Sequence, residues 1–136
     1  MTERKKILLS PPSVDHLEEQ YVQNAMQSGW IAPQGPEVSK FEKNIQEFLF
    51  EEVYPVVVNS GTSAIHLSLL ALGVGKGDYV LTQSFTFAAS ANPIVYLGAT
   101  PVFVDSEDDT WNICPEQLEI AINRALCFYH SLRDYP

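Results

Sequence analysis

The sequence predicts an α/β protein, a parallel-rich sheet flanked by helices that forms the opening section of a larger domain. From Val56 onward, short apolar or β-branched runs alternate with longer helical stretches, the pattern of βαβ units and a parallel sheet. Glycines stand where two of those helices would end, at Gly73 and Gly98, the favoured residue for a left-handed helix terminus. The only strand candidates are Val56–Val58, Tyr79–Thr82 and Pro101–Val104. A parallel sheet needs both faces and its edges covered, so these strands alone would leave the domain truncated.

Taken in order, Ser13 can cap a helix running to about Ser28, with Leu17, Tyr21 and Met26 on its apolar side and Gly29 ending it. Pro36 suits the first position of the next helix. There Val38, Phe41, Ile45 and Phe48 form a one-faced stripe, with Lys40 and Lys43 on the solvated flank. After the strand at Val56–Val58 a helix is expected over Ser63–Leu72, then a turn at Gly75–Asp78 and the strand Tyr79–Thr82. A further helix spans about Phe87–Leu97, which Pro93 should kink or split. Pro101–Val104 is the last strand, and Pro115–Leu126 opens with proline as helices often do. The expected organisation is a helical segment over 1–50, an α/β region over 51–126 and an irregular tail over 127–136.

Of the 136 residues, 46% are hydrophobic and 18% charged, the balance of a soluble globular chain. The 8 Lys and Arg against 17 Asp and Glu leave a formal charge of −9, which argues against nucleic acid or an anionic membrane surface as partner. No signal-peptide core follows Met1–Lys6, and no apolar run approaches bilayer length. Cys114 and Cys127 form no metal-ligand pattern and read as free thiols, so a cytoplasmic location is expected. His16, His66 and His130 are scattered and read as structural or solvated.

The chemistry concentrates in Val56-Val57-Val58-Asn59-Ser60-Gly61-Thr62-Ser63. Gly61 lets the backbone turn and approach a ligand closely. Thr62 and Ser63 are small hydroxyl residues at a helix start, where unpaired N–H groups and the dipole attract an anion. A phosphate cradle and simple capping by Ser60 and Thr62 are both open at this point. Ligands of parallel sheets bind at the carboxyl ends of the strands. Ser60–Thr62, Gln83–Phe87 and Asp105–Ser106 all follow such ends, which puts an aromatic on the cradle's rim. Core packing is the alternative for Phe85 and Phe87, and one of the two is expected to be buried.

Several segments together resemble the DegT/StrS-type aminotransferases, pyridoxal-phosphate enzymes that aminate nucleotide-linked keto sugars. They are Gly29-Trp30-Ile31-Ala32, Gly35-Pro36-Glu37-Val38, Phe41-Glu42, Asn59-Ser60-Gly61-Thr62-Ser63-Ala64, Leu72-Gly73-Val74, Gly77-Asp78, Ser84-Phe85-Thr86-Phe87 and Gly98-Ala99-Thr100-Pro101-Val102-Phe103-Val104-Asp105. Leu9-Ser10-Pro11-Pro12 and the Trp30 loop look most like the bacillosamine-type branch. The resemblance implies the start of a fold type I large domain, pyridoxal 5'-phosphate as cofactor, a nucleotide-sugar substrate, glutamate as amino donor, and a homodimer with shared active sites. It assigns Gly61 and Thr62 to the cofactor phosphate and Phe87 to stacking on the pyridine ring.

The same resemblance puts the cofactor-linking lysine and the pyridine-nitrogen carboxylate beyond the end of this chain. None of Lys5, Lys6, Lys40, Lys43 or Lys76 stands in the family's lysine context, and Asp105 does not match its carboxylate. Where the family has Asn-Ile-Asp-Pro, this chain has Asn112-Ile113-Cys114-Pro115, a weaker helix cap. Likeness fades after Ala125, as a truncated gene or a frame change would produce. The leading expectation is therefore a catalytically incomplete N-terminal piece of a sugar aminotransferase. The alternatives are a non-catalytic binding module and a piece of the related deoxysugar dehydratase. A regulator built on this domain would need a DNA-binding module and a basic patch, and neither is present.

Overall fold

A computed structural model describes residues 6–49 and 52–133, with the side chains of 127–133 excepted. The chain divides after Val57 into two compact units.

The first unit carries α1 (His16–Ser28) and α2 (Pro36–Leu49). The α1 cap is Asp15, not Ser13. Asp15 Oδ1 accepts the Leu17 N–H at 2.8 Å while Glu18 Oε2 accepts the Asp15 N–H at 2.8 Å, a reciprocal box that satisfies two terminal donors. Gly29 ends the helix at φ 75° with its N–H on the Met26 carbonyl, as expected of a left-handed terminus. On α2, Val38 and Ile45 are half-buried while Phe41 and Phe48 remain exposed. Lys40 lies 5.7 Å from the Tyr21 ring centre, and Lys43 pairs with Glu47 at 3.6 Å.

Val56–Val58 is not a strand. Its β-branched residues favour extended backbone, but no described segment pairs with it. The Val57 N–H instead donates to Glu42 Oε1 at 3.0 Å, so a carboxylate takes the place a neighbouring strand would fill.

The second unit runs α3 (Gly61–Ala71), β1 (Tyr79–Gln83), α4 (Ala88–Tyr96), β2 (Thr100–Val104) and α5 (Pro115–Arg133). The strands pair in parallel, with Tyr79 opposite Thr100 and Gln83 opposite Val104, as the βαβ pattern predicts. Among the described residues the sheet has two strands, one fewer than expected. Helix α3 packs on α4, where the His66 and Tyr96 rings meet edge-on at 5.8 Å. Both α4 and α5 pack on the strands. The core comprises Pro93, Ile94, Ala99 and Val104.

Helix α4 is not split at Pro93. Only one helical hydrogen bond is forfeited by its missing N–H, and the ring itself is buried, which offsets the loss. Helix α5 also differs from expectation, since its backbone continues to Arg133 where an irregular tail was read from Cys127. A formed helix extends by one bond per residue without needing an apolar stripe to guide it. Asp134, Tyr135 and Pro136 lie outside the described residues, as does Lys5.

Candidate functional site

Small residues set the start of α3. Ser60 is extended (φ −163°, ψ 158°) and serves as its N-cap, so Gly61 and Thr62 are the first two helical positions. Ser60 Oγ accepts the Ser63 N–H at 3.2 Å, and Asn59 Oδ1 accepts the Ser63 hydroxyl at 2.7 Å. The Ala64 N–H goes to the Ser60 carbonyl at 3.1 Å. Among the described residues, nothing in the protein accepts the N–H of Gly61 or of Thr62. Capping and cradle therefore coexist: Ser60 satisfies the third donor and leaves the first two facing out.

The electrostatics of this end suit an anion. Two parallel N–H groups lie at the positive end of the helix, and α3 has no acidic residue in its first turn. A Cβ built at Gly61 meets nothing within 4 Å, so the backbone borders open space. These groups fit a phosphate by number, polarity and room. Helix α3 begins at Gly61 rather than Ser63, so both residues lie in its first turn and not in mid-helix.

Phe87 sits at the carboxyl end of β1 as the N-cap position of α4, in extended geometry and with no side-chain cap. Its side chain is 86% exposed. Phe85 is exposed too, so neither phenylalanine is buried as one was expected to be. Phe85 tilts against Trp111, their ring centres 5.1 Å apart. Gly61 and Thr62 are thus adjacent, while Phe87 stands separately at the head of the helix that packs on α3.

Sequence reading missed the loop after β2. Gln83 at the end of β1 donates from Nε2 to Ser106 Oγ at 3.0 Å and to the Trp111 carbonyl. Trp111 holds φ 63°, a left-handed backbone that bulky residues rarely adopt. Glu107 anchors the turn by accepting from the Asp109 N–H at 2.7 Å, the Thr110 N–H at 2.8 Å and the Thr110 hydroxyl. The Thr110 hydroxyl and then the Asp109 N–H hold its carboxyl below the usual value. The acidic run Glu107-Asp108-Asp109 before Thr110 was the available signal, since Asp and Glu side chains cap turns.

At the head of α5, Cys114 does not cap the backbone. Its thiol donates to Glu116 Oε2 at 3.2 Å, and the Glu116 carboxyl is held low by its own backbone N–H and then by that thiol. The weak-cap reading of Cys114 fits this arrangement. Among the described residues no cluster of His, Cys, Asp and Glu could hold a metal, and no helix is long and apolar enough to cross a membrane.

Comparison with known proteins places these features in context. EpsN of Bacillus subtilis (strain 168) is 51% identical over 121 residues, covering 89% of this chain and 31% of EpsN. GDP-perosamine synthase of Escherichia coli O157:H7 is 41% identical over 115 residues, 85% of this chain and 31% of that enzyme. Among solved structures, Spr1654 from Streptococcus pneumoniae in its PLP form superposes with a TM-score of 0.74 at 36% identity, covering 86% of this chain and 29% of that one. The chain thus spans about a third of the length of the curated relatives it matches. Residues 12–126 match one family model throughout, and the chain belongs to the DegT/DnrJ/EryC1/StrS aminotransferase family.

Proposed function

We propose that this chain supplies the phosphate end of a pyridoxal 5'-phosphate site in a cytoplasmic aminotransferase that aminates a keto nucleotide sugar, with glutamate as amino donor and a homodimer as the working form. The observation that carries the reading is the pair of unpaired N–H groups on Gly61 and Thr62 at the head of α3. The family match supports it, as do relatives named as a GDP-perosamine synthase and a structure in a PLP form.

In this reading Gly61 and Thr62 donate their N–H groups to phosphate oxygens. The exposed Phe87 ring covers one face of the pyridine ring and keeps water from it. When bound, pyridoxal phosphate supplies an electron sink that eases loss of a proton beside the reacting nitrogen. The residues here bind and orient; those that would link the cofactor and move protons are not among the lysines of this chain.

The test is a titration with pyridoxal phosphate against Gly61→Pro. Proline is tolerated at the first helical position and removes one donor, and extended Ser60 already has the backbone required before proline. Loss of one dipole-aligned contact of about 1 kcal/mol should weaken binding several-fold with helix content unchanged. Equal affinity of the two proteins would return the motif to capping alone.

A further inference from the structure

Asn59 stands immediately before the α3 cap, and its side chain reaches forward across the turn to the third helical residue. Asn59 Oδ1 accepts the Ser63 hydroxyl at 2.7 Å, and the Ser60 and Ser63 hydroxyl oxygens lie 3.1 Å apart. A serine hydroxyl has one hydrogen to give. Ser63 gives its hydrogen to Asn59, so Ser60 is the donor across the 3.1 Å contact. The Ser60 oxygen still accepts the Ser63 N–H at 3.2 Å. The hydroxyl chain therefore has one direction, from Ser60 through Ser63 to Asn59.

The bridge from Asn59 to Ser63 spans Gly61 and Thr62, the two residues whose N–H groups stay open. Glycine permits more backbone orientations than any other residue. Gly61 is exposed, and a Cβ built on it meets nothing within 4 Å, so packing does not fix its peptide planes. Among the described residues, the side-chain restraints on this turn are the Ser60 cap and the Asn59–Ser63 bond. Asn59 occupies the position from which a hydrophobic staple sets the angle at which a chain enters a helix. Here an amide oxygen and a hydroxyl brace the same entry with polar groups.

We propose that Asn59 is a positioning residue. Through the Ser63 hydroxyl it fixes the entry of the chain into α3, and so aims the Gly61 and Thr62 N–H groups together without touching the anion itself. That an anion is what these donors meet rests on the function proposed above. The ordering of the donors by Asn59 does not.

The test compares backbone order with phosphate affinity in the 136-residue chain. Without ligand, NMR relaxation should give the Gly61 and Thr62 amides order parameters near the rigid value of about 0.85. In Asn59→Ala both should fall toward about 0.6, while Leu67 and Leu70 later in α3 keep theirs. Ser63→Ala should cause the same fall, and the double variant no more, because both changes break one bond. Asn59→Asp keeps an acceptor for the Ser63 hydroxyl and should restore the order. Inorganic phosphate should bind Asn59→Ala and Ser63→Ala about threefold more weakly, the effect of one exposed hydrogen bond. Asn59→Asp should bind it weakly too, since its charge repels the anion, so order returns there without affinity. Unchanged amide order in Asn59→Ala, additive losses in the double variant, or equal disorder in Asn59→Asp would each overturn the assignment. Lost order with unchanged phosphate affinity would overturn the aiming of the donors as its role. A parent chain that binds no phosphate would overturn the cradle instead, and the amide-order comparison would still decide Asn59.

Discussion

Ser60 Oγ accepts the backbone N–H of Ser63 at 3.2 Å, and this single bond decides which donors of α3 remain for a ligand. A helix start has four unpaired N–H groups. Of the helical ones, the third, on Ser63, goes to the Ser60 hydroxyl, while the Ala64 N–H already makes the ordinary helical bond to the Ser60 carbonyl at 3.1 Å. The first two, on Gly61 and Thr62, stay open.

Ser60→Ala should therefore destabilise the second unit by about 0.5–2 kcal/mol, the usual cost of losing a hydroxyl cap. Chemical denaturation of the two proteins measures it. Pyridoxal phosphate should protect the variant less than the parent, because a frayed first turn no longer aligns the Gly61 and Thr62 donors.

Acidification should loosen the loop after β2. The Glu107 carboxyl is held below its ordinary value near 4.5, chiefly by the Thr110 hydroxyl and the Asp109 N–H. A folded value below the unfolded one contributes stability that is present above about 4.5 and lost as pH falls through the folded value. Trp111 emission in a Trp30→Phe background should shift over that range, and Glu107→Gln should flatten the shift.

The 136-residue chain should turn over no keto nucleotide sugar with glutamate as donor. Lys6, Lys40, Lys43 and Lys76 are all exposed, and none stands in the family's lysine context. Borohydride treatment with pyridoxal phosphate should label no single lysine stoichiometrically, as mass spectrometry of the digested chain would reveal. Stoichiometric labelling at one of these positions would refute the expectation.

Local signals explain what the sequence made legible. Gly29, Gly73 and Gly98 mark helix ends and take φ of 75°, 78° and 77°, because a left-handed terminus has one cheap residue. The parallel strands were readable from Tyr79–Thr82 and Pro101–Val104, each within a residue of its observed span. The helix-start placement of Gly61 and Thr62 was readable for the same local reason. Val56–Val58 was misread because a β-branched run specifies extended backbone but not a partner, and Glu42 took the Val57 N–H. Sequence reading puts the α1 cap at Ser13, whereas Glu18 three residues after Asp15 is the spacing of the capping box that forms. The Phe85–Trp111 contact was illegible because Gln83 on β1 creates it by reaching across to a distant loop.

Gly61→Ala separates ligand approach from helix formation by driving them in opposite directions. Gly61 carries no positive φ, and an added Cβ meets nothing within 4 Å, so alanine fits the folded chain without strain. Alanine also restricts the unfolded chain and favours helix over glycine, for a gain of about 0.4–1 kcal/mol where backbone geometry permits. The melting temperature should therefore rise or hold. If a phosphate closes on the Gly61 N–H, the same methyl group enters the space the anion occupies, and pyridoxal phosphate affinity should fall several-fold. Gly98→Ala provides the contrast: at φ 77° it should cost about 1–2 kcal/mol through backbone strain while leaving the cradle's donors in place. Thermal melts and pyridoxal phosphate titrations of both variants test this together. A Gly61→Ala protein that is more stable and binds the cofactor unchanged would remove close approach as the reason for glycine at the head of α3.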